Sequence, residues 1–233
     1  MAEAYARGIS PQTPLMGWSM GKSLSAIMLG YLAQRERLTT EQANLFPQWA
    51  GDDRRNINLR QLLQMSSGLD FSEVYAPGSD ATRMLFIAAS ASDVAKASPL
   101  VHPPGSHFSY SSGTANLLSE IFVTQTGGTQ AAVDILRKHI LAPMGMAHTT
   151  LELDANGVFV GSSNIYSSTR DWARLGLLML NKGQLNGHRI ISEGWVEQTT
   201  TPNTSDNERA YGYQVWLNQG DKELRWPDLP ADA

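Results

Sequence analysis

No cysteine occurs in the 233-residue chain, which excludes disulfide scaffolding, thiol nucleophiles and thiolate metal sites. Charge of either sign is sparse. The 18 basic and 22 acidic residues give a net charge of −4 at pH 7, and no cluster of Lys or Arg is wide enough to footprint a nucleic acid. Long hydrophobic runs are missing too: no stretch of about eighteen apolar residues marks a membrane span, and no charged-then-apolar segment marks a signal peptide. The five histidines, at 102, 107, 139, 148 and 188, include no pair three or four apart on a helix, which argues against a metal site. Nothing in the sequence asks for a cofactor. What remains is a partner of small size, neutral or of mixed charge.

What is present is helical periodicity. Trp18 to Arg35 carries Met20, Leu24, Ile27, Met28 and Tyr31 on a broad face with small residues between them, the pattern of a deeply buried helix. Further helices are predicted over 59–65, 80–89, 92–97, 114–126, 129–140 and 169–180, with a last one opened by Ser192-Glu193-Gly194-Trp195. Strand patterns are confined to 149–153, 158–160 and 211–217. Neither end resembles a domain boundary. The chain reaches Ser19 without a strand run before it, and it closes on Leu229-Pro230-Ala231-Asp232-Ala233 straight after a strand-like stretch. The expectation is a single, partial domain over residues 1–233, a helical region belonging to an α+β protein, in which the helix bearing Ser19 lacks the sheet it packs against and leaves a broad apolar face in water.

Ser19-Met20-Gly21-Lys22 is the strongest chemical signal. A serine hydroxyl attacks poorly at neutral pH unless a proton acceptor sits within hydrogen-bond reach, and residues three apart share a helical face. Ser19 therefore reads as a nucleophile and Lys22 as its base, against the plainer reading of a cap and a solvated cation. Tyr110-Ser111-Ser112 follows the rigid turn His102-Pro103-Pro104-Gly105-Ser106 and precedes a helix, so Tyr110 is placed to relay a proton and Ser112 to exchange a hydrogen bond in the same cleft. A buried structural tyrosine is the alternative. Asp70, Glu73 and Tyr75 follow the Ser66-Ser67-Gly68 turn and could border the cleft, the plainer reading being a solvated loop; Tyr166 reads as a cleft residue or ordinary loop packing; His102 and His107, flanking the Pro-Pro-Gly turn, read as substrate contacts or, more plainly, as loop histidines.

Taken in order, Ser19-x-x-Lys22, Leu63-x-Met65-Ser66-Ser67-Gly68-Leu69, Pro104-Gly105-x-x-Phe108-x-Tyr110-Ser111-Ser112-Gly113 and Pro143-Met144-Gly145-Met146 resemble the β-lactamase-related serine hydrolases. Gly17-Trp18-Ser19-Met20 and Tyr211-Gly212-Tyr213-x-x-Trp216-Leu217-Asn218 are most similar to the branch of 6-aminohexanoate-oligomer hydrolases and their esterase relatives. The resemblance implies a β-lactamase/penicillin-binding-protein-like α+β fold, here mostly its helical region. It implies catalysis by Ser19, Lys22 and Tyr110, with Ser112 toward the substrate and the Ser19 N–H as half of an oxyanion hole. The substrate would be a small ester, amide or lactam. Where the β-lactamases proper have asparagine this chain has Ser112, which favours ester or amide hydrolysis. The family's third element, a Lys-Thr-Gly or Gly-x-x-Gly-Gln strand, is absent, and the resemblance places it beyond Ala233. A β-lactamase, a penicillin-binding sensor or transpeptidase, and a non-catalytic helical interaction domain remain as alternatives.

Overall fold

A computed structural model describes residues 3–206 and 209–219, so Leu229 to Ala233 lie outside the described residues. In chain order the elements are β1 (Leu15–Met16), α1 (Gly21–Ala33), α2 (Leu59–Leu63), α3 (Asp80–Phe86), α4 (Asp93–Ala97), α5 (Ser112–Thr126), α6 (Thr129–Ile135), α7 (Ala142–Met144), β2 (Thr149–Leu151), β3 (Ile165–Ser167), α8 (Thr169–Leu180), β4 (Gln184–Leu185), β5 (His188–Arg189) and α9 (Glu193–Thr199). Helix α1 packs on α5, which also receives α2, α3, α4 and α6. Leu24, Met28, Leu29 and Leu32 meet Leu117, Leu118, Ile121 and Phe122 in one core cluster. Eleven of the 13 residues of α1 are buried. The broad exposed apolar face expected of this helix is therefore not there: other helices and the loop through Ser162 cover it.

Local chemistry explains the element ends. Ser111 caps α5 by accepting from the Thr114 N–H, and Gly127 ends it in the left-handed conformation at φ 95°. Asn58 and Gln61 form a reciprocal capping box on α2. The helix expected over 129–140 instead widens into a π turn at Leu136–Leu141. The widened turn precedes Pro143, which lacks the N–H a regular helix would bond back to residue 139.

Strands are short. Two antiparallel pairings build a sheet in the order β1-β3-β2, with Leu15 opposite Ser167 and Thr150 opposite Tyr166. So a two-residue strand does precede Ser19, too brief to leave an alternating pattern. The stretch 158–160 is no strand; it contributes one bridge, Leu153 to Phe159. Nor is 211–217 a strand. Its chain folds back, with Gly212 N–H donating to Val215 O at 3.0 Å, a bridge between Tyr211 and Trp216, and Gln214 at φ 58°. The left-handed residue reverses the direction that a period-two pattern alone cannot reveal.

Candidate active site

The sheet sets the entry to Ser19. Gly17 N–H donates to Ile165 O at 2.7 Å, and the next residue, Trp18, takes φ 47° before a short 3₁₀ turn over Trp18–Met20 runs into α1. Both neighbouring glycines are forced by close approach. A Cβ on Gly17 would lie 2.2 Å from the Trp172 ring, and one on Gly21 would lie 2.8 Å from Gly161 O. The chain thus turns sharply at Ser19, one wall against α8 and the other against the 161–163 loop.

Lys22 lies beside Ser19 in this turn. Its Nζ donates to Ser19 Oγ at 3.0 Å and to Ser162 O at 3.0 Å, while only 1% of the residue is exposed. Burial pulls the ammonium down from 10.5 to about 8, partly opposed by the negative charge of Glu73. A lysine with that value is neutral in about one molecule in ten at pH 7, enough to serve as a base.

Tyr110 arrives from a loop laced to the turn at 65–69. Ser109 N–H donates to Met65 O at 2.8 Å and Gly105 N–H to Ser66 O at 2.7 Å. The Tyr110 ring lies 4.9 Å from Lys22 Nζ, stacks on Trp216 at 5.4 Å and meets Tyr211 edge-on at 6.0 Å. Burial raises the Tyr110 phenol, with the Ser19 side chain acting the other way. The phenol therefore holds its proton while the neighbouring amine loses one readily, so the pair divides into an acid and a base.

Ser112 is buried, and its polar groups are already engaged. Its Oγ donates to Glu73 Oε1 at 2.5 Å, and its N–H to Glu73 Oε2 at 2.7 Å. Tyr75 Oη donates to the same Oε1 at 2.9 Å. The reading of Glu73 as a solvated loop residue is overturned: the segment folds back so that its carboxylate meets the first turn of α5. A lone Glu in a loop carries no sequence signal for this, since its partner is 39 residues away.

Other candidates fall outside the cluster. Tyr166 lies in β3 with its phenol raised first by a hydrogen bond to Glu152, which marks a surface pair and not a cleft residue. The His102 and His107 rings lie 4.2 Å apart, and His107 Nδ1 is 2.7 Å from Asp206. Asp70 is exposed. Among the described residues no group of three His, Asp or Glu is placed to hold a metal ion, and no helix is long and apolar enough to cross a membrane.

Comparison with known proteins matches residues 2–226 to the beta-lactamase family. The chain is 23% identical over 239 residues to the 6-aminohexanoate-dimer hydrolase of Paenarthrobacter ureafaciens, an alignment covering 97% of this chain and 60% of that protein. In structure it is similar to a Bacillus anthracis protein provisionally assigned as a 6-aminohexanoate-dimer hydrolase, with a TM-score of 0.78 and 22% identity, over 94% of this chain and 63% of that one. A penicillin-binding protein from Bacillus halodurans aligns with a TM-score of 0.69 and 17% identity, over 91% of this chain and 72% of the other. The chain thus spans about three-fifths of the length of the hydrolases it matches.

Proposed function

Because the chain belongs to the beta-lactamase family, we propose that it carries the acylating half of a serine hydrolase site, in which Ser19 forms a covalent ester with a small ester or amide substrate and water then releases it. The observation that carries this reading is the 3.0 Å contact between Lys22 Nζ and Ser19 Oγ in a buried, weakly basic setting. In the neutral form Lys22 accepts the Ser19 proton as Oγ attacks the substrate carbonyl carbon. The Ser19 N–H is the candidate for one oxyanion donor. As the tetrahedral adduct collapses, the bond to the leaving group breaks and Tyr110 supplies that group with a proton, recovering one from the Lys22 ammonium. In the second half, water repeats the attack on the acyl-Ser19 carbonyl and Ser19 leaves with its proton restored.

Amides of ω-amino acids are the substrate class to try first, on the strength of the Paenarthrobacter relative's name, with simple active esters as reporters. The test is mass spectrometry after incubation with a fluorophosphonate or an active ester. One adduct on Ser19, lost in Ser19→Ala, is expected; an adduct that persists in Ser19→Ala places the nucleophile elsewhere. Subsequent turnover distinguishes a hydrolase from a slow-deacylating sensor, and the absence of any adduct favours the non-catalytic alternative.

A further inference from the structure

The mechanism above uses Ser19, Lys22 and Tyr110 and leaves Glu73 without a task. Yet Glu73 accepts three hydrogen bonds within one cluster: from the Ser112 N–H, the Ser112 hydroxyl and the Tyr75 phenol. Ser112 opens α5 two residues after Tyr110, so whatever holds Ser112 also holds the end of the Tyr110 loop. A half-buried carboxylate on which three donors converge from two segments is not the default arrangement for a solvated loop, and its charge reaches the buried Lys22 amine.

We propose that Glu73 is a positioning residue for acylation: its carboxylate fixes the Tyr110-Ser111-Ser112 turn against the Tyr75 loop, and its negative charge holds the catalytic proton on the Lys22–Tyr110 pair. The proposal rests on the reading of Ser19 and Lys22 as nucleophile and base. The charged and titratable groups bearing on each member are few. Lys22 feels the charge of Glu73 and lies 4.9 Å from the Tyr110 ring, and it donates to the uncharged Ser19 hydroxyl and Ser162 carbonyl. Tyr110 is influenced by Glu73, Ser19 and Trp216, and lies against Tyr211. Glu73 acts on Tyr75, Tyr110 and Lys22. Its charge favours the protonated form of both the amine and the phenol, so it delays the appearance of the base as pH rises and keeps Tyr110 competent as the proton donor.

Glu73→Gln removes the charge while preserving the geometry. The amide oxygen still accepts from the Ser112 N–H, and the two hydroxyls reverse to accept from the amide nitrogen. The experiment measures the rate of Ser19 adduct formation with an active ester from pH 5 to 10. The acid limb of Glu73→Gln should move down by about one pH unit, the direction and size expected on losing a nearby opposite charge, with the plateau within about threefold of wild type. Glu73→Asp keeps the charge and shortens the reach; it should retain the wild-type limb and lose plateau rate about tenfold or more. A Glu73→Gln acid limb that coincides with wild type, or a displaced limb in Glu73→Asp, overturns the proposal while Ser19-dependent labelling keeps the underlying reading intact. Direct titration of Lys22 by NMR, with ¹³C at Cε, provides the readout that does not depend on turnover. Its midpoint should be lower in Glu73→Gln than in wild type, and an unchanged midpoint counts against the charge role even if no adduct forms in any variant.

Discussion

Replacing Lys22 by methionine separates what this side chain does for chemistry from what it does to the fold. Burial depresses its pKa from 10.5 to about 8, so the native protein binds that proton more weakly than the unfolded chain. At about 1.4 kcal/mol per unit, the difference amounts to about 3 kcal/mol of lost stability. The sign follows from the direction of the shift. The destabilisation is complete below pH 8 and fades as pH climbs toward 10.5, where the unfolded chain also releases the proton. Methionine fills a similar space without a charge and abolishes this effect. Against that gain, the Ser162 carbonyl loses a donor at 3.0 Å, and a buried acceptor left alone costs about 1 to 3 kcal/mol. Near pH 7 the variant should be more stable by up to about 2 kcal/mol, a rise in Tm of up to about 8 °C for a domain of this size, with Ser19 labelling lost. Above about pH 10 only the orphaned carbonyl remains and the order reverses. Thermal or urea unfolding of both proteins from pH 6 to 10.5 reads this out. A variant less stable than wild type at pH 7, or a gap that stays constant between pH 8 and 10.5, would refute the reasoning.

Lys22→Arg should lose about 10²- to 10⁴-fold in acylation rate, since a guanidinium does not release its proton, and stopped-flow with an active ester checks it; near-normal rates would point to another base. p-Nitrophenyl acetate or butyrate should be cleaved in preference to a chromogenic cephalosporin, because the Ser112 proton is already given to Glu73 and one hydroxyl replaces an amide's donor pair. The reverse preference would overturn the ester and amide assignment. Asp171→Ala should destabilise the protein by about 3 kcal/mol or more, because the fully buried carboxylate accepts from the His148 N–H, the Thr149 hydroxyl and Arg174; urea denaturation measures it, and a loss under about 1 kcal/mol would contradict the network's role.

Helices were the legible part of this molecule because their signals are local. The run 169–180 is a helix over the residues that its periodicity indicates, and α1 follows its apolar spacing from Leu24 onward, with Met20 exposed in the turn before it. Ser19 and Lys22 could be read together for the same reason: three residues apart, their meeting is settled by helical geometry alone. The two-residue strand β1 and the three-residue β3 are set by pairing between segments about 150 residues apart, and nothing in Leu15-Met16 announces it. The segment 211–217 was misread because Gln214 adopts a left-handed conformation usually left to glycine. Glu73 was read more plainly as a solvated loop residue for a related reason, as its hydrogen-bond partner in α5 lies 39 residues further along the chain.

The fold-back of 211–217 joins parts of the chain that are far apart. Ser23 Oγ donates to Gln214 O at 2.9 Å, Gln214 N–H donates to Leu63 O at 3.1 Å, and Trp216 stacks on Tyr110. The first link closes a loop of 191 residues, and contacts of such separation are formed late and slowly. During synthesis Ser19 and Lys22 emerge nearly two hundred residues before Trp216, the aromatic seat of Tyr110. Ser19 should then remain unreactive toward active esters on a ribosome-bound nascent chain until the fold-back has left the exit tunnel, so labelling of stalled chains of increasing length would time the moment at which chemistry becomes possible.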